Sequence, residues 1–137
     1  MNYFAIPGYR NRTISNQRRI IDEDINPHKI LLTVSKYYAE KGDVIAALAE
    51  LRYPLSSIGL ISAMKGKTRV REIVEARKCF CYLCKELNNL TLKYIGKMLG
   101  YRDHSTVIYA INTWQDLLDT EAKCRRDYEN IKTILGV

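Results

Sequence analysis

Beyond residue 25 the apolar positions recur every three to four residues, the period of a helix with one buried face. Asn26 and Pro27 form a cap and first-turn pair, and Ile30, Leu31, Val34, Tyr37 and Tyr38 follow on one face. Gly42 is a natural stop, and Asp43 can cap a second helix from Val44 to Arg52, broken by Tyr53-Pro54. Ser56 can open a further short helix through Ile58, Leu60, Ile61 and Met64. After the basic loop Lys65-Gly66-Lys67-Thr68-Arg69, the pattern predicts a long helix over Val70 to Asn88. Thr91 caps a short helix carrying Leu92, Ile95, Met98 and Leu99, and Gly100 closes it. Asp103 caps the next helix, whose stripe is Val107, Ile108, Ile111, Trp114, Leu117 and Leu118. A last helix is expected near Thr120 to Leu135. No stretch alternates with period two, so the expected fold is all-α. Residues 1–24 hold no amphipathic period and read as an irregular arm, leaving 25–137 as the folded domain.

Composition narrows the classes of function. Hydrophobic residues make up 47% of the chain, too many for disorder throughout. No apolar run approaches a membrane span, and the start Met1-Asn2-Tyr3-Phe4-Ala5-Ile6-Pro7 has neither part of a secretory signal. The expected location is the cytoplasm, with no membrane partner.

Charge adds a location to the pattern. The net charge is +7, and residues 65–100 hold nine Lys or Arg against three Asp or Glu. Positive charge concentrated in this way attracts polyanions, because neutralising a phosphate releases condensed counterions.

The cysteines change little. Cys79, Cys81 and Cys84 fall inside the long helix, where residues two apart face nearly opposite ways and do not converge on one metal. With Cys124 they read as buried free thiols, and neither a metal nor a cofactor is expected. Asp103-His104-Ser105 names the parts of a catalytic triad, yet consecutive residues at a helix start diverge. The expectation is of a protein that is not an enzyme.

Two helices joined by a tight glycine-containing turn, over Leu92 to Leu118, have the makings of a helix-turn-helix. The first residues of its second helix, His104, Ser105 and Thr106, are short or planar hydrogen-bonding groups suited to base edges. The run Gly100-Tyr101-Arg102-Asp103-His104-Ser105-Thr106-Val107-Ile108-Tyr109-Ala110 closely resembles the signature of the C-terminal DNA-binding domain of the chromosomal replication initiator DnaA family. Ala76-Arg77-Lys78, Leu83-Cys84-Lys85-Glu86-Leu87, Leu92-Lys93-Tyr94-Ile95-Gly96 and Val34-Ser35-Lys36-Tyr37-Tyr38 extend the resemblance over about residues 25–135. Residues 39–60 look longer than the family usually has.

The resemblance implies a helix-turn-helix bundle of the Trp-repressor-like kind that reads double-stranded DNA. It implies an arginine from the basic loop in the minor groove, matched by Arg69, with Lys67 and Arg71 beside it. It implies phosphate contacts from Arg77 and, as a departure from the family glutamine, Lys78. It implies major-groove contacts from Arg102, Asp103, His104, Ser105 and Thr106 with an A·T-rich box. Tyr101 and Tyr109 replace a family glycine and histidine, and Thr113 stands where a basic residue is common. These departures bear on the sequence recognised. No Gly-x-x-x-x-Gly-Lys-Ser/Thr phosphate loop occurs, so a stand-alone reader is expected, in replication-related or transcriptional control. No heptad zipper is present, which favours a monomer or weak dimer. The alternative is a protein-interaction module that keeps the fold without specific DNA binding.

Overall fold

The structure, a computed structural model, describes residues 25–137. The arm expected over residues 1–24 lies outside the described residues. Among the described residues seven α-helices follow one another: α1 Pro27–Ala39, α2 Gly42–Glu50, α3 Ser57–Lys65, α4 Arg71–Leu83, α5 Leu92–Met98, α6 His104–Thr120 and α7 Ala122–Leu135. No strand occurs among the described residues.

The helix starts are set by side chains that accept otherwise orphaned N–H groups. Asn26 accepts from the Lys29 N–H at 2.9 Å with Pro27 in the first turn, Ser56 from Gly59 at 3.3 Å, and Thr91 from Tyr94 at 3.1 Å. The long helix is shorter as an α-helix than its pattern predicts. At Leu83 it widens into a π turn, Cys84–Asn88, which Asn89 ends in the left-handed region at φ 49°. The apolar spacing does not separate a π turn from continued α-helix, since both keep Cys84 and Leu87 inside.

Helix α4 is the centre of the bundle. It packs most extensively on α6 and also on α1, α2 and α3, while α5 and α7 lie against α6. Phe80 and Tyr82 of α4, Tyr38 of α1 and Trp114 of α6 are among the largest fully buried side chains. Burying an aromatic or large aliphatic side chain contributes roughly 1.5–3 kcal/mol, so this shared core fixes how α6 sits on α4.

The last helix is less of a polar outer face than its sequence suggests. Asp127 turns inward, accepting from the Tyr37 hydroxyl at 2.8 Å and pairing with Lys41 at 2.9 Å. Tyr128 donates its hydroxyl to buried Glu86 of the π turn. These contacts tie α7 to α1 and to the end of α4. No described helix is long and apolar enough to cross a membrane.

Candidate nucleic-acid interface

The start of α6 is built by its cap. One oxygen of Asp103 accepts from both the backbone N–H and the hydroxyl of Thr106, each at 2.9 Å. Those bonds, the backbone one foremost, hold the Asp103 carboxyl below its ordinary range. They also spend the Thr106 hydroxyl proton within the cap, leaving its methyl as the group with no such tie. His104 and Ser105 stand beside it, and all four residues from Asp103 to Thr106 are exposed. Val107 and Ile108 face the core.

The turn ahead of the cap is closed by two glycines. A Cβ on Gly96 of α5 would overlap the Arg102 carbonyl oxygen, which packs directly on that helix. The Arg102 N–H donates to the Gly96 carbonyl at 2.9 Å, and the turn passes through Gly100 at φ 80° and Tyr101 at φ 63°. A Cβ on Gly100 would overlap the Lys65 carbonyl oxygen. The turn is therefore seated on the end of α3, where the basic loop begins.

Two arginines fasten that loop. Arg77 of α4 donates to four main-chain oxygens: Met64 at 2.7 Å, Thr68 at 2.6 Å, and Ala63 and Gly66 at 2.9 Å. Arg102 donates to the Met64 oxygen at 3.0 Å and to the Gly66 oxygen. Three of these acceptors, Ala63, Met64 and Gly66, lie at the C-terminal end of α3, where unpaired carbonyls and the helix dipole favour cations, and Thr68 lies in the loop beyond it. Burial first, and then the neighbouring Arg102 charge, brings the Arg77 pKa down to about 10, which leaves it charged at neutral pH.

Between the loop and α6 lies a cleft of about 370 Å³, lined by Lys67, Arg69, Lys78, Arg102, Thr106 and Tyr109 among others. Lys67 and Arg69 are exposed, whereas Arg71 is committed in part to buried Glu75, its Nε donating at 3.1 Å. The Lys78 ammonium sits 5.5 Å from the Tyr109 ring centre, a cation–π distance. Burial lowers the Lys78 pKa. Cys81 lines the cleft floor, and all four cysteines are buried free thiols. Among the described residues no group of three or more His, Cys, Asp or Glu is placed to hold a metal ion.

Of the sequence-identified residues the cleft brings together Lys67, Arg69, Arg77, Lys78, Arg102 and Thr106. Asp103, His104 and Ser105 are exposed next to Thr106 without lining it, and Arg71 lines a separate pocket with Asp43, Glu72, Glu75 and Lys123. Arg77 and Arg102 have their guanidinium groups turned onto the protein's own carbonyls. The sequence reading placed Arg77 as a phosphate contact; its Nε, Nη1 and Nη2 are all engaged by the loop backbone. Sequence reasoning had no signal for this, because the acceptors are main-chain atoms. The Lys78–Tyr109 pair was also missed, although both departures were visible singly.

Residues 60–113 match the family model described as the bacterial DnaA protein helix-turn-helix. The chromosomal replication initiator protein DnaA of Bacteroides fragilis (strain YCH46) is 39% identical over 74 residues, covering 54% of this chain and 16% of that protein. The protein of the same name from Ehrlichia ruminantium (strain Gardel) is 37% identical over 75 residues, covering 55% of this chain and 16% of its own length. The chain therefore spans about one sixth of the length of these relatives. The family model's match is narrower than the resemblance read over residues 25–135, and it holds α3's core, the basic loop, α4, α5 and the reading end of α6. Residues 60–113 are thus similar to the helix-turn-helix segment of bacterial DnaA proteins.

Proposed function

We propose that this protein binds double-stranded DNA sequence-specifically, with the first turn of α6 in the major groove and the basic loop in the minor groove. One observation carries the reading. Exposed Thr106, in the first turn of α6, and exposed Lys67 and Arg69 line one cleft, on two elements fastened to each other. A helix-turn-helix docks with the N-terminal residues of its second helix on base edges. The neighbouring cations supply the phosphate attraction that such docking requires.

Within this reading His104 and Ser105 present hydrogen-bonding groups to bases, Thr106 presents its methyl, and Asp103 holds the helix start in shape. Arg69, with Lys67 and Arg71 nearby, enters the minor groove, and Lys78 contacts phosphate. Arg77 and Arg102 act as positioning residues that fix the loop. The preferred site is an A·T-rich box like those implied by the family resemblance, bound by a monomer or weak dimer, and the role is replication-related or transcriptional control.

The test is selection from a random duplex library with the full chain, followed by mobility shifts of the recovered site across a salt series. A single enriched A·T-rich motif, bound more weakly as salt rises, supports the reading. Absence of duplex binding at low salt overturns it and leaves the protein-interaction alternative.

A further inference from the structure

A second groove, of about 360 Å³, lies on the other side of the Gly100–Lys65 contact. His28, Lys65, Tyr94, Lys97 and Tyr101 line it, and among the described residues no carboxylate does. Its most telling residue is Tyr101. That side chain is 79% exposed, so packing does not explain it, yet its backbone sits at φ 63°. L-residues are disfavoured there because Cβ crowds the carbonyl oxygen, and glycine is the residue that takes the conformation freely. The fold thus carries a strained aromatic that contributes little to the core, one residue ahead of Arg102 and two ahead of the α6 cap. Residues held in such sparsely populated conformations cluster at functional sites. Tyr94, 41% exposed on α5, stands across the same groove.

We propose that this groove takes a sugar–phosphate strand of the bound duplex just beyond the positions read by α6, with Tyr101 and Tyr94 against the backbone and Lys65 and Lys97 neutralising its phosphates. The inference rests on the DNA-binding reading above and extends its footprint to a surface that neither the loop nor α6 supplies. Lys and Tyr are ordinary donors to phosphate, and such contacts make up about half or more of protein–DNA hydrogen bonds. Placement supports the choice of occupant. When the first turn of α6 lies in the major groove, the turn preceding its cap, Tyr101 included, is carried to the groove's edge, where the flanking strand runs.

The experiment uses the full chain and the selected site in two duplexes, one blunt at the site and one with flanks of about one helical turn, ~10 base pairs, on each side. The wild type should bind the flanked duplex more tightly. Tyr101→Gly should melt at a higher temperature, because the strain is relieved, and yet bind the flanked duplex about three- to tenfold more weakly. Tyr101→Asn, which tolerates the same backbone without glycine's freedom, should lose affinity likewise. Lys97→Ala should reduce the salt slope by about 0.9, one phosphate's worth. Wild-type affinity in Tyr101→Gly overturns the groove while leaving the DNA-binding reading intact. Loss in Tyr101→Gly but not in Tyr101→Asn also overturns it, since backbone freedom then explains the effect. No duplex binding by the wild type overturns both.

Discussion

Arg77 and Arg102 donate to the same two carbonyl oxygens, those of Met64 and Gly66. One arginine comes from the central helix and the other from the turn that launches α6. Their shared acceptors join the basic loop to the reading helix through hydrogen bonds of charged donors, each stronger than a neutral one. A displacement of the loop therefore strains the turn, and the two elements proposed to face DNA are coupled.

Arg77→Gln should accordingly destabilise the protein by about 2 kcal/mol, the cost of removing charged hydrogen bonds and leaving part-buried carbonyls unpaired. It should weaken DNA binding without lowering the salt slope, because no phosphate contact is lost. The cost of Arg69→Ala should shrink by roughly 0.5–2 kcal/mol in the Arg77→Gln background, a coupling expected of residues acting through one element. Urea unfolding and a double-mutant cycle of binding at several salt concentrations measure these effects. A salt slope reduced by about 0.9 for Arg77→Gln would return the residue to a phosphate role.

How far the sequence reached is clear from these same residues. Among the described residues the apolar spacing and turn signals placed the helices approximately, and the caps Asn26, Ser56, Thr91 and Asp103 were legible because capping is a local interaction between a side chain and the next turn. Gly42 and Asp43, read as a stop and a cap, instead lie inside α2, which begins after Lys41. The cleft was legible only as a set of residues. What Arg77 bonds to depends on where α3 ends in space, and a guanidinium that meets carbonyls reads the same in sequence as one that meets phosphate. Nothing in the sequence marks Asp127 and Glu86 as buried, and their burial follows from α7 lying against α1 and the π turn.

His104 offers the ring at the exposed start of α6, free to lie along a base edge. His104→Ala should relax the sequence preference at one or two positions and cost about 1–3 kcal/mol in binding to the selected site. Non-specific binding should hardly change. Repeating the library selection with the variant checks this, and an unaltered motif would exclude His104 from base reading.

Asp103 gives a pH dependence with a definite sign. Thr106 holds its folded-state pKa below the ordinary value. A depressed carboxyl contributes stability above the unfolded pKa and loses it as pH falls through the folded one. The melting temperature of Asp103→Ala should therefore lie below the wild type's at neutral pH, and the two should converge in acid below the carboxylate range. Thermal melts from about pH 7 downward test the convergence; a gap that persists in strong acid would assign the cap's contribution to something other than its charge.

Gly96 sets how closely the two helices of the motif approach. Its missing Cβ admits the Arg102 carbonyl, and backbone has no rotamer through which to retreat. Gly96→Ala should cost about 1–3 kcal/mol by overpacking, despite the better helix propensity of alanine. Because the displaced atom belongs to the turn that positions Asp103 and His104, the variant should also lose site preference at temperatures where it remains folded. Denaturation and mobility shifts on the same sample separate the two effects. Stability lost with site preference retained would show that the turn re-forms around the added methyl.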